Sequence, residues 1–205
     1  MSKINKKSYS TFINGDYKFN FDDAEQGWHI RVVDTNKEFY EDIPDFINGY
    51  PVVDMFATFK NCSVLKKAPK IPDGIKDMAF AFANCASLIK PPEIPNTVKD
   101  MSNTFQGCIL LENVPIIPVG VKTMYYTFEG CKCLKNSPAI PITVRNMHAT
   151  FKNCSSLISP PVIPSSVKVM NYTFQNCISL KNKCNIHNMV ESSIMTFDGC
   201  HLMEV

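Results

Sequence analysis

VKTMYYTFEGCKCLKNSPAIPIT at residues 121–143 is followed by VRNMHATFKNCSSLISPPVIPSS at 144–166, and the second stretch repeats the first position for position. Each opens on valine, then sets methionine, Thr-Phe, cysteine, leucine, proline and Ile-Pro at identical offsets. Working outward, the same frame holds in both directions. Cysteine recurs every 23 residues at Cys62, Cys85, Cys108, Cys131, Cys154, Cys177 and Cys200, each with phenylalanine three residues before it. A fixed period of this length is the signature of a solenoid, whose coils bury their apolar faces only by stacking on one another.

Five apolar columns and the cysteines make the expected core. The valine column runs Val52, Ile75, Val98, Val121, Val144, Val167, Val190; the methionine column runs from Met55 to Met170 and is broken by Ser193. Leucine and isoleucine columns follow the cysteine. Before each cysteine stands asparagine or glycine, the residues that most readily adopt positive φ, so the Met-to-Phe stretch is expected to be one short helical turn closed there. The two prolines of PxIP lack a donor, and they limit that side of each coil to a short, incompletely bonded parallel ribbon. Cysteines at one repeated phase are not a disulfide framework. They are expected to be buried, reduced thiols where coils approach closely.

The TFxNC, TFxGC and CxSL groups followed by IPxxV closely resemble the BspA-like, or treponemal-type, leucine-rich repeats. The resemblance covers residues 52–203, with methionine standing where an isoleucine and glycine usually follow the valine. It implies a right-handed, curved α/β repeat solenoid with short parallel strands and short helical turns, here about seven coils plus an N-terminal cap. It also implies recognition of other macromolecules, often as a bacterial surface protein or adhesin, with relatives in phages and protists, and it supplies no catalytic residues.

The chain of 205 residues divides into a flexible N-terminus (1–11), an N-terminal cap (12–50) and the leucine-rich-repeat solenoid (51–205), whose last coil is atypical and polar. Alternation in Tyr17, Phe19, Phe21 and in Trp28, Ile30, Val32 predicts half-buried strands in the cap, and Asn48-Gly49 marks the turn into the repeats. A hydrophobic fraction of 45% and a charged fraction of 20% fit a folded soluble protein. Residues 1–50 carry six basic and nine acidic residues, and the rest fifteen and ten, a balance that does not demand nucleic acid. Lys3, Lys6 and Lys7 have no apolar stretch behind them, so if Met1 is the native start the protein is expected to be intracellular (cytoplasmic); otherwise it belongs at the cell surface. No segment reaches membrane-spanning length.

Three exposed stripes are candidates for partner binding. Lys76, Lys99, Lys122, Arg145 and Lys168 form a basic column after the valines, suited to an acidic protein or a phosphate backbone, or simply a solvated face. Phe80, Tyr125, Tyr126, His148 and Tyr172, with Phe56, form an aromatic stripe after the methionines, either a binding hot spot or packing over the methionine column. Val114, Ile116 and Val162, with Ala139 and Pro160, flank the prolines and are expected to face outward, where a partner or a second copy of the chain could cover them.

Chemistry is not signalled. The histidines fall at unrelated phases without a triad setting, and neither the Cys131/Cys133 pair nor Cys184 with His187 has a second pair at zinc-site spacing. The expectation is a protein without catalytic residues, cofactor or metal. The sequence points to a non-enzymatic protein-binding scaffold, an intracellular inhibitor or adaptor, possible as a phage anti-defence protein, that covers a macromolecular partner. Its rivals are a surface adhesin and a nucleic-acid binder acting through the basic column; homo-oligomerisation is compatible with each.

Overall fold

The computed structural model describes residues 11–201. Residues 1–10, nearly all of the expected flexible N-terminus, and residues 202–205, with Met203 of the leucine column, lie outside the described residues.

The alternating segments form strands where the pattern puts them: β1 (Thr11–Asn14), β2 (Tyr17–Asp22) and β3 (Gly27–Val32), followed by β4 (Phe46–Ile47) and β5 (Tyr50–Asp54). Their order is β1-β2-β3-β5-β4. β2 and β3 are antiparallel with Phe19 opposite Ile30 and Phe21 opposite Trp28, which sets Tyr17, Phe19, Trp28 and Ile30 on one buried face. The β4–β5 hairpin turns at Asn48 and Gly49, both at positive φ (51° and 80°), as a tight two-residue hairpin requires. β3 pairs parallel to β5 and so stands where a preceding coil would stand. The first rung of the stack is therefore met by side chains: Tyr40 Oη donates to Cys62 Sγ at 3.4 Å, and the rings of Tyr17 and Tyr40 pack edge-on against Phe59.

From Val52 onward each coil lies on the next in register. Phenylalanines 59, 82, 105, 128, 151, 174 and 197 form a continuous stack, with ring centroids 5.1–5.8 Å apart and planes within 9°. Met, Val, Leu and Cys columns are buried beside it from the Cys62 coil to the Cys177 coil. The cysteines are free, and the thiols have a specific task. Cys85, Cys108, Cys131, Cys154, Cys177 and Cys200 each donate to the carbonyl of the phenylalanine in the preceding coil, at 3.0–3.2 Å. Threonine acts likewise. Thr104, Thr127, Thr150, Thr173 and Thr196 donate to the methionine carbonyl one coil back, and Thr58 to Ile30 of β3, at 2.7–3.0 Å. Thr173 and Thr196 also reach local carbonyls, Met170 O at 2.6 Å and Ser193 O at 2.8 Å; the hydroxyl and the thiol are small donors that saturate buried carbonyls between coils.

The expected helical turns are absent: the described residues contain no helix. The asparagine-glycine column does take positive φ at all seven positions, from 59° to 73°, but a second left-handed column lies four residues earlier, at Ala57, Phe80, Asn103, Tyr126, Ala149, Tyr172 and Met195. Each left-handed residue ends the turn after single i to i−3 bonds such as Thr127 N to Met124 O and Cys131 N to Phe128 O. It also turns alternate N–H groups toward the next coil. Met55, Ala57, Phe59 and Asn61 donate to Asp77, Ala79, Ala81 and Ala83, whose own peptide groups donate onward in the same way to the Cys200 coil.

Strand pairing within the stack is reduced to one parallel bridge per coil, Asp54–Asp77, Asp77–Asp100, Asp100–Thr123, Thr123–Asn146, Asn146–Val169 and Val169–Ser192, with Lys67–Lys90 beside them. No bridge forms in the PxIP stretches among the described residues, because prolines remove every second or third donor.

Candidate functional site

One outward face is built from the residues around the methionines. The basic column is held in register by its own backbone: Lys99 N donates to Lys76 O, Lys122 to Lys99, Arg145 to Lys122 and Lys168 to Arg145, at 2.8–3.0 Å. Lys76, Lys99, Lys122 and Arg145 are exposed, while Lys168 is half-buried and pairs with Glu191 at 3.2 Å. The residue after each cation divides this column in two. After Lys76 and Lys99 it is Asp77 and Asp100, which like Asp54 after Val53 accept a backbone N–H two residues on; further along it is Thr123, Asn146 and Val169, which are neutral. Asp77 lies between two like charges. Burial first, then Asp100 and Asp54, push its carboxyl above the ordinary range.

The aromatic residues form two clusters, not one stripe. Phe56 and Phe80 meet edge-on at 5.7 Å, with Arg31 over Phe56 at 5.5 Å and Lys60 over Phe80 at 5.0 Å. Along the neutral half, Tyr125 packs edge-on to Tyr126 (4.5 Å) and stacks on His148 (4.9 Å, 24°), and His148 meets Tyr172 edge-on at 5.5 Å with Lys152 over that ring at 5.6 Å. Ser102 and Asn103 separate the clusters in the same two columns. Burial, with the Lys152 charge second, lowers the His148 pKa from 6.5, so the imidazole is neutral at pH 7. Sequence reasoning missed Lys60 and Lys152, because their column holds lysine, alanine, glutamine and glutamate in turn and each meets its ring one coil away.

The proline-flanking stripe is shifted from its expected position. Ile116 and Val162 are 90% and 89% exposed and Ala139 is exposed, but Val114 is half-buried and packs against the core, because its column turns inward beside the first proline. Pro160 is likewise half-buried. The other exposed row is Val119 and Ile142, at 75% and 76%, just after the second proline.

Titratable groups gather elsewhere without forming a centre. At the joint between β3 and the stack, His29 lies 3.4 Å from Glu25, 3.6 Å from Asp54 and 3.9 Å from Asp22, with Arg31 4.0 Å from Asp54. Among the described residues no three His, Cys, Asp or Glu side chains are grouped to hold a metal ion. Cys131 is committed to Phe105 O, and His187 Nδ1 accepts from Met189 N. Burial raises the ladder thiols, with Cys108 and Cys177 pushed up to about 12, so they are protonated and inert at neutral pH. Among the described residues no helix is long and apolar enough to cross a membrane.

With this geometry in view, the repeat region matches the model of the BspA type leucine rich repeat region, in six copies over residues 55–158 and 148–205. The chain belongs to this family. Three solved structures of leucine-rich repeat proteins share the fold. A leucine-rich repeat protein of T. pallidum aligns with a TM-score of 0.73 at 22% identity, over 92% of this chain and 88% of the other. One from Bacteroides ovatus gives 0.61 at 22%, over 89% and 57%, and a leucine rich cell surface protein of Faecalibacterium prausnitzii gives 0.53 at 20%, over 96% and 48%. No curated protein sequence matches. The repeat-protein solenoid is thus a scaffold shared with these structures.

Proposed function

We propose that this protein is a non-enzymatic binding scaffold, an inhibitor or adaptor inside the cell that covers an acidic patch on a protein partner with the face from Tyr125 to Tyr172. The observation that carries this reading is the change along the basic column. Where Lys122 and Arg145 stand beside Thr123 and Asn146 instead of aspartate, the tyrosines, His148 and Lys152 join them, so uncompensated cations and aromatic side chains coincide. Residues 12–50 act as the cap of a solenoid over 51–205; this is supported by β3 pairing in the place of a coil and by Tyr40 closing the first cysteine rung.

Single-stranded nucleic acid fits less well. Base stacking needs open ring faces, whereas Tyr125 and His148 spend faces on each other and Tyr172 receives the Lys152 ammonium. A surface-contact role is the second reading, favoured by the likeness to a cell surface protein of the same repeat type.

Affinity capture from the source cell, repeated with a Tyr125→Ala/Tyr126→Ala variant and a Lys122→Glu/Arg145→Glu variant, tests the assignment. A single prominent protein weakened at least about tenfold by both is expected, in keeping with central hot-spot residues. If neither variant weakens capture, the face is wrong; retention on single-stranded DNA or RNA at low salt, lost on charge reversal, would replace a protein partner by nucleic acid.

A further inference from the structure

Glu129 stands against the charge of its surroundings. From Asn113 to Val190 it is the one acidic residue of the sequence, and it borders the tyrosine cluster. Its N–H donates to Tyr126 O at 3.2 Å, and Lys152, in the same column one coil on, lies over the Tyr172 ring. Burial, then Tyr125 and then the Glu129 charge push the Tyr126 hydroxyl above its usual range, so the carboxylate acts on the cluster directly.

The carboxylate is held in place from both sides. Gln106 Nε2, one coil back, donates to Oε2 at 3.1 Å, and Asn153 Nδ2, one coil on, donates to Oε1 at 3.0 Å. Behind these, the buried Asn103 donates to Gln106 and Asn176 donates to Asn153, each at 3.0 Å, so a chain of amides converges on Glu129 along the stack. Among the described residues no lysine or arginine nitrogen lies within 4.0 Å of it. Beside it Gly107 and Gly130 carry no side chain, and they leave an open basin of about 600 Å³ lined also by Ile109, Lys132 and Asn153.

This fixed, half-buried charge constrains whatever covers the face. A partner that seals it from water without a counter-charge leaves a carboxylate desolvated and unpaired, and an acidic patch laid over it adds repulsion. Each oxygen gives one lone pair to an amide, and the lone pair left on each suits the two parallel N–H groups of a guanidinium.

We propose, resting on the reading of the Tyr125–Tyr172 face as a protein-binding surface, that Glu129 is its specificity-determining residue: within its acidic patch the partner carries an arginine that enters the basin and pairs with Glu129. Acidic proteins without that cation are rejected, because they would bury the carboxylate unpaired.

The captured partner, once purified, is titrated calorimetrically with the wild-type chain, Glu129→Gln and Glu129→Lys. Weakening by at least about tenfold with glutamine and about a hundredfold with lysine is expected. A plain acidic patch predicts the opposite sign, since removing the acid from a basic face strengthens attraction. If Glu129→Gln leaves binding unchanged or tightens it while the Tyr125→Ala/Tyr126→Ala and Lys122→Glu/Arg145→Glu variants still weaken it, the role of Glu129 is overturned and the face stands. If no protein is captured, or those two variants leave capture unchanged, the face itself falls and the role of Glu129 with it. Glutamine also deprives one amide of its acceptor, so charge exchange separates pairing from structure. Glu129→Lys combined with an arginine-to-glutamate change in the partner is expected to recover at least about tenfold of the lost affinity. A loss that no such exchange recovers is structural and overturns the proposal.

Discussion

Asp77 is the residue whose environment argues most directly against its own charge. It is half-buried, paired by backbone to Asp54 and Asp100, and raised by burial and by those carboxylates. Its one structural service is to accept Ala79 N at 2.7 Å, and Asn146 performs that service for His148 N at 2.9 Å without a charge. Asp77→Asn is therefore expected to raise stability by about 0.5–1 kcal/mol at pH 7, the range for removing a like-charge neighbour. Because the folded pKa is raised, the penalty exists only above the unfolded value; thermal melting at pH 3 should show no gain. His148 has the opposite sign. Its folded pKa is lowered, so its contribution is present above 6.5 and is lost as pH falls below it, and a proton there adds charge beside Lys152. An NMR titration should find His148 titrating below the ordinary histidine value of 6.5, and His148→Asn should flatten the acid limb of partner binding. The thiols divide in the same spirit: iodoacetamide on the native protein should modify Cys133, which is only half-buried, and leave Cys85 through Cys177 of the ladder until the fold opens.

At the scale of the coil, what repeats with a distinctive residue could be read in advance, and what repeats without one could not. Phenylalanine, cysteine, leucine and the Asn/Gly column each advertise a role, and each is found in it, down to positive φ at Asn61, Gly107 and Asn153. The second left-handed column is occupied by Phe80, Tyr126, Tyr172 and Met195, residue types that normally avoid that conformation, so nothing in the sequence marks it. Missing it turned three short turns into an expected helix. The candidate face was legible to the same degree: Lys122, Arg145, Tyr125 and Tyr172 belong to visible columns, while Lys152 and the inward turn of Val114 depend on the path of neighbouring coils. Gly130 tests the coil geometry. A Cβ there would meet only Gly107 backbone at 3.8 Å, so space is ample and φ of 73° is the sole demand. Gly130→Asn is expected to be neutral within about 0.5 kcal/mol, and Gly130→Val to destabilise by about 1–3 kcal/mol, in denaturant titrations.

The whole molecule is a line of nearest-neighbour contacts, and its stability should behave as one. Phe128 stacks on Phe105 at 5.7 Å and on Phe151 at 5.6 Å, so removing it weakens two junctions together. Phe128→Ala is expected to lower stability by about 3–5 kcal/mol. Hydrogen exchange should then show the coils beyond Cys131 opening separately from those joined to the N-terminal sheet, as an interrupted one-dimensional array does. A uniform loss of protection would mean that the stack folds as one indivisible unit.

The onward relay of N–H to carbonyl also gives the molecule a direction. The same four peptide groups of every coil, ending at Met55, Ala57, Phe59 and Asn61 and their equivalents, point their N–H toward the Cys200 end. Peptide dipoles of about 3.5 D therefore add head to tail in four parallel rows, as they do along a helix, although the described residues contain none. Two rows run the other way, Lys99 N to Lys76 O and Glu112 N to Ile89 O with their equivalents, and subtract from the four; the surplus leaves the stack negative at the pole covered by β3, where Val32 N meets Thr58 O, and positive at the pole of Met195, Phe197 and Gly199. Anything that approaches the two ends of this solenoid feels opposite fields before it touches a side chain.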